Sequence, residues 1–241
     1  MLTLYQFPIS HYCEKVRWAL DFKGLEYQII NLLPGAHIKV VKSIAPKTEV
    51  PVLQHDEKIV QGSSEIITYL DTVFPQKTLT PSDPLLKQQA LEWETFVDEN
   101  IGPHTRLYCY HYLLDRPDIV IPFLAHGQPW HKRLVFRLFY PKVRVAMRKY
   151  MNINDRTADI SLKKLTRAID KLATQLKTTP FLAGDQFTRA DLAAASLLAP
   201  LRMPEKYGIN WPSKLPDTLQ QTVDSLNDKL FWIDKLYQDY R

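Results

Sequence analysis

The sequence predicts an α/β domain with the element order βαβ–ββα, followed by an all-α helical domain. Strand-like alternation of apolar and polar residues occurs in the first third of the chain and fades after Ser82, where helical spacing dominates. The stretch PQKTLTPSDP, residues 75–84, is typical of a linker. A length of 241 residues allows one large domain or two closely packed ones. We place the two domains at residues 1–76 and 84–241.

The predicted elements of the first domain follow in order along the chain. LTLYQF and EYQIINLL are β-rich runs separated by a helical pattern, which indicates a parallel pair of strands. PVLQHDEKIV contains two short strands around a polar turn, which indicates an antiparallel hairpin. SSEIITYLDTVF then returns to helical spacing, so that a helix closes the domain.

Helical signals organise the rest of the sequence. Asp83 precedes Pro84 at a helix start, where a capping side chain stands before a proline of the first turn. An apolar stripe with helical spacing is formed by Leu165, Ile169, Leu172 and Leu176. The stretch 217–237 has the same spacing, and we therefore predict helices throughout this domain.

Composition predicts a soluble globular protein of the cytoplasm. Charged residues make up 24% and apolar residues 45% of the chain. No apolar run approaches the ~18 residues that a membrane span needs, and the N-terminus lacks the pattern of a secretory signal. Cys13 and Cys109 are expected to be reduced, and no metal-binding pattern is present.

The excess positive charge is concentrated in HKRLVFRLFYPKVRVAMRKY, residues 131–150, which contains seven basic residues and no acidic one. We interpret it as a basic amphipathic stretch interrupted by Pro141. It is either a solvated helix face or part of a dimer surface, or else a surface for an anionic membrane or nucleic acid. We expect no useful affinity for duplex DNA at physiological salt.

The first candidate site is SHYCEKVRWAL, which begins at Ser10 directly after the first predicted strand. Ser10 is expected at the N-cap of a helix, where free backbone N–H groups and the helix dipole favour an anion. Cys13 falls in the first turn. The alternative is that Ser10 only caps the helix and Cys13 is a small buried side chain.

Two further stretches contribute polar backbone and hydroxyl groups. In EVPVL, a cis bond between Val50 and Pro51 would turn the backbone groups of Val50 outward for a ligand. In QGSSEI, Ser63 and Ser64 open a second helix whose N-terminus suits a carboxylate. Two helix ends and one strand edge are therefore expected to converge on an extended, anionic peptide.

Together with FLAGDQFTRADL, residues 181–192, these motifs resemble the cytosolic glutathione transferases, in particular serine-type, bacterial-like members. The resemblance covers essentially the whole chain and implies a thioredoxin-like first domain. Within FLAGDQFTRADL, Thr188 and Asp191 suit a reciprocal capping box, which is a folding element rather than a catalytic one.

The resemblance implies a role for each matching residue toward glutathione as co-substrate. Ser10 matches the hydroxyl that stabilises the thiolate of glutathione. Val50, before Pro51, matches the residue whose backbone pairs with the cysteinyl part. Ser63, with Ser64 beside it, matches the serine that binds the γ-glutamyl carboxylate. His37 either offers a basic group to the glycyl carboxylate or is a solvated loop residue.

Gly62 departs from the family pattern, because a side chain that contacts the α-amino group of glutathione commonly stands there. A missing contact would weaken this subsite, and we expect Gly62→Glu to strengthen glutathione binding unless Gly62 has a positive φ angle.

An electrophile pocket is predicted from aromatic residues on both sides of the linker. Tyr108 and Tyr112 lie one helical turn apart and are predicted to form a pocket wall, with Tyr12 from the first domain. The same spacing fits ordinary helix packing.

The resulting hypothesis is a homodimeric glutathione transferase that conjugates small apolar electrophiles in detoxification. It has no membrane span and no nucleic-acid partner. One alternative, consistent with Gly62, is a binding or scaffold protein with little turnover. Another is a thiol redox protein that uses Cys13.

Overall fold

The computed structural model describes residues 1–241, and its N-terminal domain is a small sheet with three helices. The strands are Leu2–Gln6 (β1), Tyr27–Asn31 (β2), Val52–His55 (β3) and Lys58–Gln61 (β4). The helices are His11–Phe22 (α1), His37–Lys42 (α2) and Ser63–Val73 (α3). The predicted order βαβ–ββα is confirmed, with one addition: α2 is a six-residue helix within the connection between β2 and β3.

The four strands form one mixed sheet in the order β2-β1-β3-β4. β1 pairs in parallel with β2, so that Leu4 lies opposite Ile29. β1 pairs antiparallel with β3, and β3 forms the predicted hairpin with β4. Because β1 is central, the turn that follows it lies at the middle of one sheet edge, and this turn leads directly into Ser10.

The C-terminal domain is entirely helical, as predicted. Its helices are Pro84–Asn100 (α4), Gly102–Leu113 (α5), Pro117–Leu124 (α6), Trp130–Tyr150 (α7), Asp155–Gln175 (α8), Arg189–Arg202 (α9), Asp217–Leu230 (α10) and Trp232–Tyr240 (α11). A short 3-10 turn, Glu205–Tyr207, follows α9. Residues 74–83 contain no helix or strand, and the division of the chain at 76 and 84 remains a prediction.

The basic stretch 131–150 corrects one expectation, because Pro141 does not interrupt it. α7 runs continuously from Trp130 to Tyr150 with Pro141 inside. A proline removes one backbone donor from a helix. Here buried Phe136 and Tyr140 anchor the helix before the proline, while Met147 packs against the core after it.

A continuous apolar core joins the two domains. α1 packs against α9, and nearly every residue of α9 is buried. Trp18 of α1 is fully buried between the rings of Phe187 and Tyr237, with centroid distances of 5.8 and 4.4 Å. Because both rings come from the C-terminal domain, α1 contributes to the cores of both domains. None of the helices combines the length and hydrophobicity needed to cross a membrane.

The predicted capping box at the start of α9 is present and buried. Oδ2 of Asp191 accepts from the backbone N–H and the hydroxyl of Thr188, both at 2.9 Å, and Oδ1 accepts from the N–H of Leu182 at 2.8 Å. Burial raises the pKa of Asp191 to about 6, although the three hydrogen-bond donors act in the opposite direction and lower it. One carboxylate thus fixes both the helix start and the loop before it.

Asp191→Ala should lower the free energy of unfolding by at least ~2 kcal/mol, because buried donors lose their acceptor. Thermal unfolding measures the effect. The matched control is Asp185→Ala, six residues earlier, which is exposed and should change stability by less than ~0.5 kcal/mol. Equal melting temperatures for the two variants would contradict the role of this cap.

Candidate functional site

A cavity of about 580 Å³ lies between the two domains. The first domain contributes the turn before α1, the segment around α2 and residues 48–50, and the second contributes α5, α7 and the region after α9. Most of the lining side chains are hydrophobic, among them Ile9, Phe123, Met147, Trp211 and Leu215. A large apolar cavity with a few polar groups at one end is typical of a small-molecule site.

Ser10 lies on this cavity and caps α1, as the sequence predicts. Its Oγ accepts from the backbone N–H of Cys13 at 3.4 Å. The bond uses the oxygen as an acceptor and leaves the hydroxyl proton free to be donated. A proton donor at the positive end of a helix therefore lies at the cavity wall, where it can stabilise an anion.

Cys13 lies on the same turn but is directed into the core. The thiol is fully buried and does not line the cavity. Burial raises its pKa, so the thiol stays protonated and poorly nucleophilic at neutral pH. The structure therefore separates the two candidate residues, with the hydroxyl facing the cavity and the thiol behind it.

Val50 also lines the cavity, and its bond to Pro51 is cis. Neither the N–H nor the C=O of Val50 has a hydrogen-bond partner in the chain. Gln61, which no local sequence motif marks as a site residue, holds this segment. Its amide nitrogen donates to the carbonyls of Lys47 at 3.0 Å and Glu49 at 2.8 Å. Gln61 of β4 therefore holds the segment before Val50 in place, while the N–H and C=O of Val50 stay free for a ligand.

The two serines of α3 have different surroundings. Ser63 is largely buried, and its hydroxyl has no partner within the chain, although it does not line the cavity. Ser64 donates to Oδ2 of Asp98 at 2.7 Å and accepts from Nζ of Lys15 at 3.0 Å. The expectation for Ser64 is therefore corrected, because its hydroxyl is already used inside the protein.

His37 lines the cavity as a neutral side chain. Its Nδ1 accepts from the N–H of Gly35 at 3.0 Å, which leaves the proton on Nε2. Partial burial lowers the pKa of the imidazole. His37 can therefore donate a hydrogen bond at neutral pH, but it contributes no positive charge there.

The three predicted pocket tyrosines do not act together. Tyr12 lines the cavity, with its hydroxyl donating to the carbonyl of Asp98 at 2.7 Å. The hydroxyl of Tyr108 bonds instead to that of Thr222 at 2.7 Å, and the ring packs edge-on against Tyr112, 5.2 Å away. Neither Tyr108 nor Tyr112 reaches the cavity, so the predicted wall is corrected.

The physical reason is the rotational phase of α5. The face that reaches the cavity carries Arg106, Cys109, Tyr110 and Leu113, whereas Tyr108 lies toward α10. Spacing in the sequence identifies residues that share a face but not the direction in which that face points. Arg106, which forms no ion pair, is the one unpaired cation that α5 brings to this cavity.

Two family models match the chain. "Glutathione S-transferase, N-terminal domain" matches residues 4–78, and "Glutathione S-transferase, C-terminal domain" matches residues 136–218. Together they span more than half of the sequence. "Glutathione S-transferase 1" of Dianthus caryophyllus is 34% identical over 120 residues, which are 48% of this chain and 53% of that protein. The chain thus matches about half the length of this curated relative.

Solved structures share the fold over nearly the whole chain. The beta-etherase LigF from Sphingobium sp. strain SYK-6 has a TM-score of 0.64 and 22% identity, covering 97% of this chain and 98% of that one. A glutathione S-transferase of Methylobacterium radiotolerans, solved with glutathione sulfonate, has a TM-score of 0.60 and 22% identity, with coverage of 95% and 94%. At these identities the likeness shows the fold alone.

Gly62→Ala should destabilise the first turn of α3, because the positive φ angle that was the exception to the expected benefit of a side chain is present. Gly62 has φ 105° and ψ 140°, a conformation that other residues rarely adopt. An added Cβ would also displace the carboxylate of Glu65, which is exposed and can move aside. We expect a loss of ~1–3 kcal/mol in thermal or denaturant unfolding, and a larger one for Gly62→Glu.

The control for Gly62 is Gly24→Ala, where φ is 68° and no atom lies within 4 Å of the added Cβ. This variant should lose less stability, because it adds only the backbone strain of a left-handed residue. A Gly62→Ala protein as stable as the parent would contradict the strained geometry.

His11 should make the fold sensitive to mild acid. It is buried beside Arg106, and its Nε2 is 3.1 Å from the carbonyl of Gly102; burial, with this cation, lowers its pKa to about 3. In the unfolded chain the imidazole of His11 is protonated below pH ~6.5, whereas in the folded protein it stays neutral down to about pH 3. The contribution of neutral His11 to the free energy of unfolding is therefore fully present above pH ~6.5 and is lost as the pH falls toward 3.

The measurement compares melting temperatures of the parent and His11→Gln, which keeps an N–H donor but does not titrate. Between about pH 7 and about pH 5, the melting temperature should decrease less in His11→Gln than in the parent. Exposed His131, changed to Gln as a control, should leave the decrease unaltered. Parallel pH profiles for the parent and His11→Gln would refute this assignment.

Proposed function

Because the chain belongs to the glutathione transferase superfamily, we propose that it conjugates glutathione to small apolar electrophiles, with Ser10 activating the thiol. The observation that carries this proposal is the Ser10 hydroxyl, which caps α1 at the wall of an apolar cavity and has a free proton. We further propose that it acts in detoxification as a cytoplasmic homodimer, as the family resemblance implies.

Ser10 would act on the protonation state of the glutathione sulfur. A free thiol has a pKa of ~8.5, so that only a small fraction is ionised at neutral pH. A hydroxyl that donates to the sulfur, together with the N-terminus of α1, stabilises the thiolate and lowers this pKa. The thiolate then forms a C–S bond to the electrophilic carbon, and the leaving group departs with its electron pair.

The remaining parts of glutathione would meet groups that are free in the structure. The unpaired backbone groups of Val50, before Pro51, suit the N–H and C=O of the cysteinyl residue. The N-terminus of α3 and the hydroxyl of Ser63 suit the γ-glutamyl carboxylate. His37 would donate from Nε2 to the glycyl carboxylate. We do not assign such a role to Ser64, whose hydroxyl is engaged by Lys15 and Asp98.

Gly62 itself offers no side chain to the α-amino group of glutathione, but a carboxylate from the next turn occupies that space. Oε2 of Glu65 is the atom that a Cβ on Gly62 would meet first, and Glu65 is exposed and forms no ion pair. We propose that Glu65 supplies the negative charge that position 62 lacks. If Glu65 has this role, the missing side chain at position 62 no longer favours a binding protein without turnover.

The electrophile would bind in the apolar part of the cavity, beyond Ser10. Tyr12 and Tyr110 offer aromatic walls there, and Met147 from α7 lies on the same lining. Unpaired Arg106 would favour electrophiles that develop negative charge, such as nitroaromatic rings. The burial of Cys13 argues against the redox alternative, because a buried, protonated thiol is a poor nucleophile.

Retention on glutathione-agarose, followed by a chloronitrobenzene conjugation assay, tests the proposed function. Retention with turnover supports a transferase, and retention without turnover supports a binding protein. A glutathione-dependent disulfide reductase assay separates the redox alternative.

Ser10→Ala should slow conjugation by ~ten-fold or more at neutral pH, because one unit of thiol pKa corresponds to a ten-fold change in thiolate. Its pH–rate profile should shift to higher pH, while the affinity for glutathione falls less. Cys13→Ala is the matched control from the same turn and should keep the parent profile within a few-fold. Loss of turnover in Cys13→Ala with a parent-like Ser10→Ala would reverse the assignment.

A further inference from the structure

Helix α7 carries two apolar stripes on opposite sides. The inner stripe consists of Phe136, Tyr140, Val143 and Met147. The outer stripe consists of Leu134, Leu138, Pro141 and Val145. Both follow the spacing 4-3-4, and at 100° per residue their centres lie about 160° apart. A helix that packs against a core on one side needs only one apolar stripe, so packing within the protein does not explain the outer stripe of α7.

The inner stripe fixes how α7 is oriented. Phe136 and Tyr140 are buried, with the hydroxyl of Tyr140 donating to the carbonyl of Leu114 at 2.6 Å. Val143 and Met147 line the cavity. The outer stripe therefore points to solvent, where Leu134 is 54%, Leu138 73% and Val145 62% exposed.

Basic residues flank the outer stripe on both edges. Arg133, Arg137 and Arg144 lie along one edge, and Lys142 and Lys149 along the other. Asp115 pairs with Arg144 at 3.3 Å and with Arg148 at 2.6 Å. The other five basic residues of the stretch have no acidic partner; they are Lys132, Arg133, Arg137, Lys142 and Lys149.

We propose that the outer stripe of α7 docks on the surface of an anionic phospholipid bilayer. An apolar stripe between two basic edges matches the order of acyl chains and anionic headgroups at such a surface. Trp130, at the N-terminal end of the helix and on the side of the outer stripe, is 72% exposed. Aromatic side chains of this kind are favoured at the headgroup level.

Charge argues against two other occupants of this face. A second copy packed on it about a two-fold axis would bring the four unpaired cations of the basic edges against four more, which is repulsive. A nucleic acid would satisfy the basic edges but leave the stripe of Leu and Val against phosphates and water. An anionic phospholipid surface offers acyl chains to the stripe and charged headgroups to its basic edges.

This proposal does not depend on the proposed function, because the outer stripe lies on the side of α7 away from the cavity. Of the basic residues along its edges, only Lys142 also lines the cavity. Docking of this face has a consequence for that function, because the same helix separates the cavity from the docked surface. A helix with its side chains is ~10–12 Å across, so apolar molecules dissolved in the bilayer would lie one helix width from the cavity.

The test is flotation of the full-length protein with vesicles of phosphatidylcholine, with and without phosphatidylserine. The parent should bind the anionic vesicles at least ~ten-fold more tightly than neutral ones, and binding should weaken as ionic strength rises. The double variant Leu134→Asp/Leu138→Asp should lose ~ten-fold or more in affinity. Arg133→Gln/Arg137→Gln should lose a similar factor on anionic vesicles alone.

The matched control is Leu85→Asp, the same change at a leucine of α4 that is 63% exposed, which should bind like the parent. Circular dichroism and thermal unfolding confirm that all variants fold. Equal binding to neutral and anionic vesicles, or unchanged binding of the leucine double variant, would overturn the proposal. Failure of the parent to float with anionic vesicles would also overturn the proposal. In that case, dissociation of a dimer by the leucine double variant in sedimentation would assign the face to a second copy. Binding of duplex DNA by the parent would assign it to a nucleic acid.

Discussion

The buried ammonium of Lys15 is the interaction on which the arrangement of the two domains depends. It has no exposed surface and lies 2.8 Å from carboxylate oxygens of both Glu94 and Asp98. Arg189 pairs with the second oxygen of Glu94 at 2.5 Å. Burial opposes ionisation of Glu94, but Lys15 and Arg189 together hold its pKa below the usual range. Because an incomplete cluster would leave an uncompensated buried charge, α1, α4 and α9 must assemble together.

The same charges support the candidate site from within. Nζ of Lys15 donates to the hydroxyl of Ser64, and Nη2 of Arg189 donates to the carbonyl of Ser64 at 2.9 Å. The first turn of α3 is thereby held on its inner side, while Ser63 keeps an unpaired hydroxyl. Asp191 fixes the start of α9 and hence the position of Arg189. Site geometry and domain packing are therefore set by one group of polar contacts.

Local signals in the sequence predicted most of the fold, and long-range geometry accounts for what they missed. The caps at Ser10 and Asp191 and the order of strands and helices along the first domain follow from neighbours within a few residues, and these predictions are confirmed. The role of Lys15 could not be predicted, because its partners lie about eighty residues away and resemble ordinary surface charges. Tyr108 was misplaced since spacing does not give the phase of a helix, and the positive φ of Gly62 leaves no trace in composition.

The two opposed stripes of α7 restrict how the length of this helix can change in evolution. Inserting one residue after Pro141 would rotate the following half by about 100°. Val143 and Met147 would leave the cavity wall, and Arg144 would move into the centre of the outer stripe. Insertions of three or four residues nearly restore the register. Natural variation in α7 is therefore expected as whole helical turns, with single-residue insertions and deletions confined to its ends.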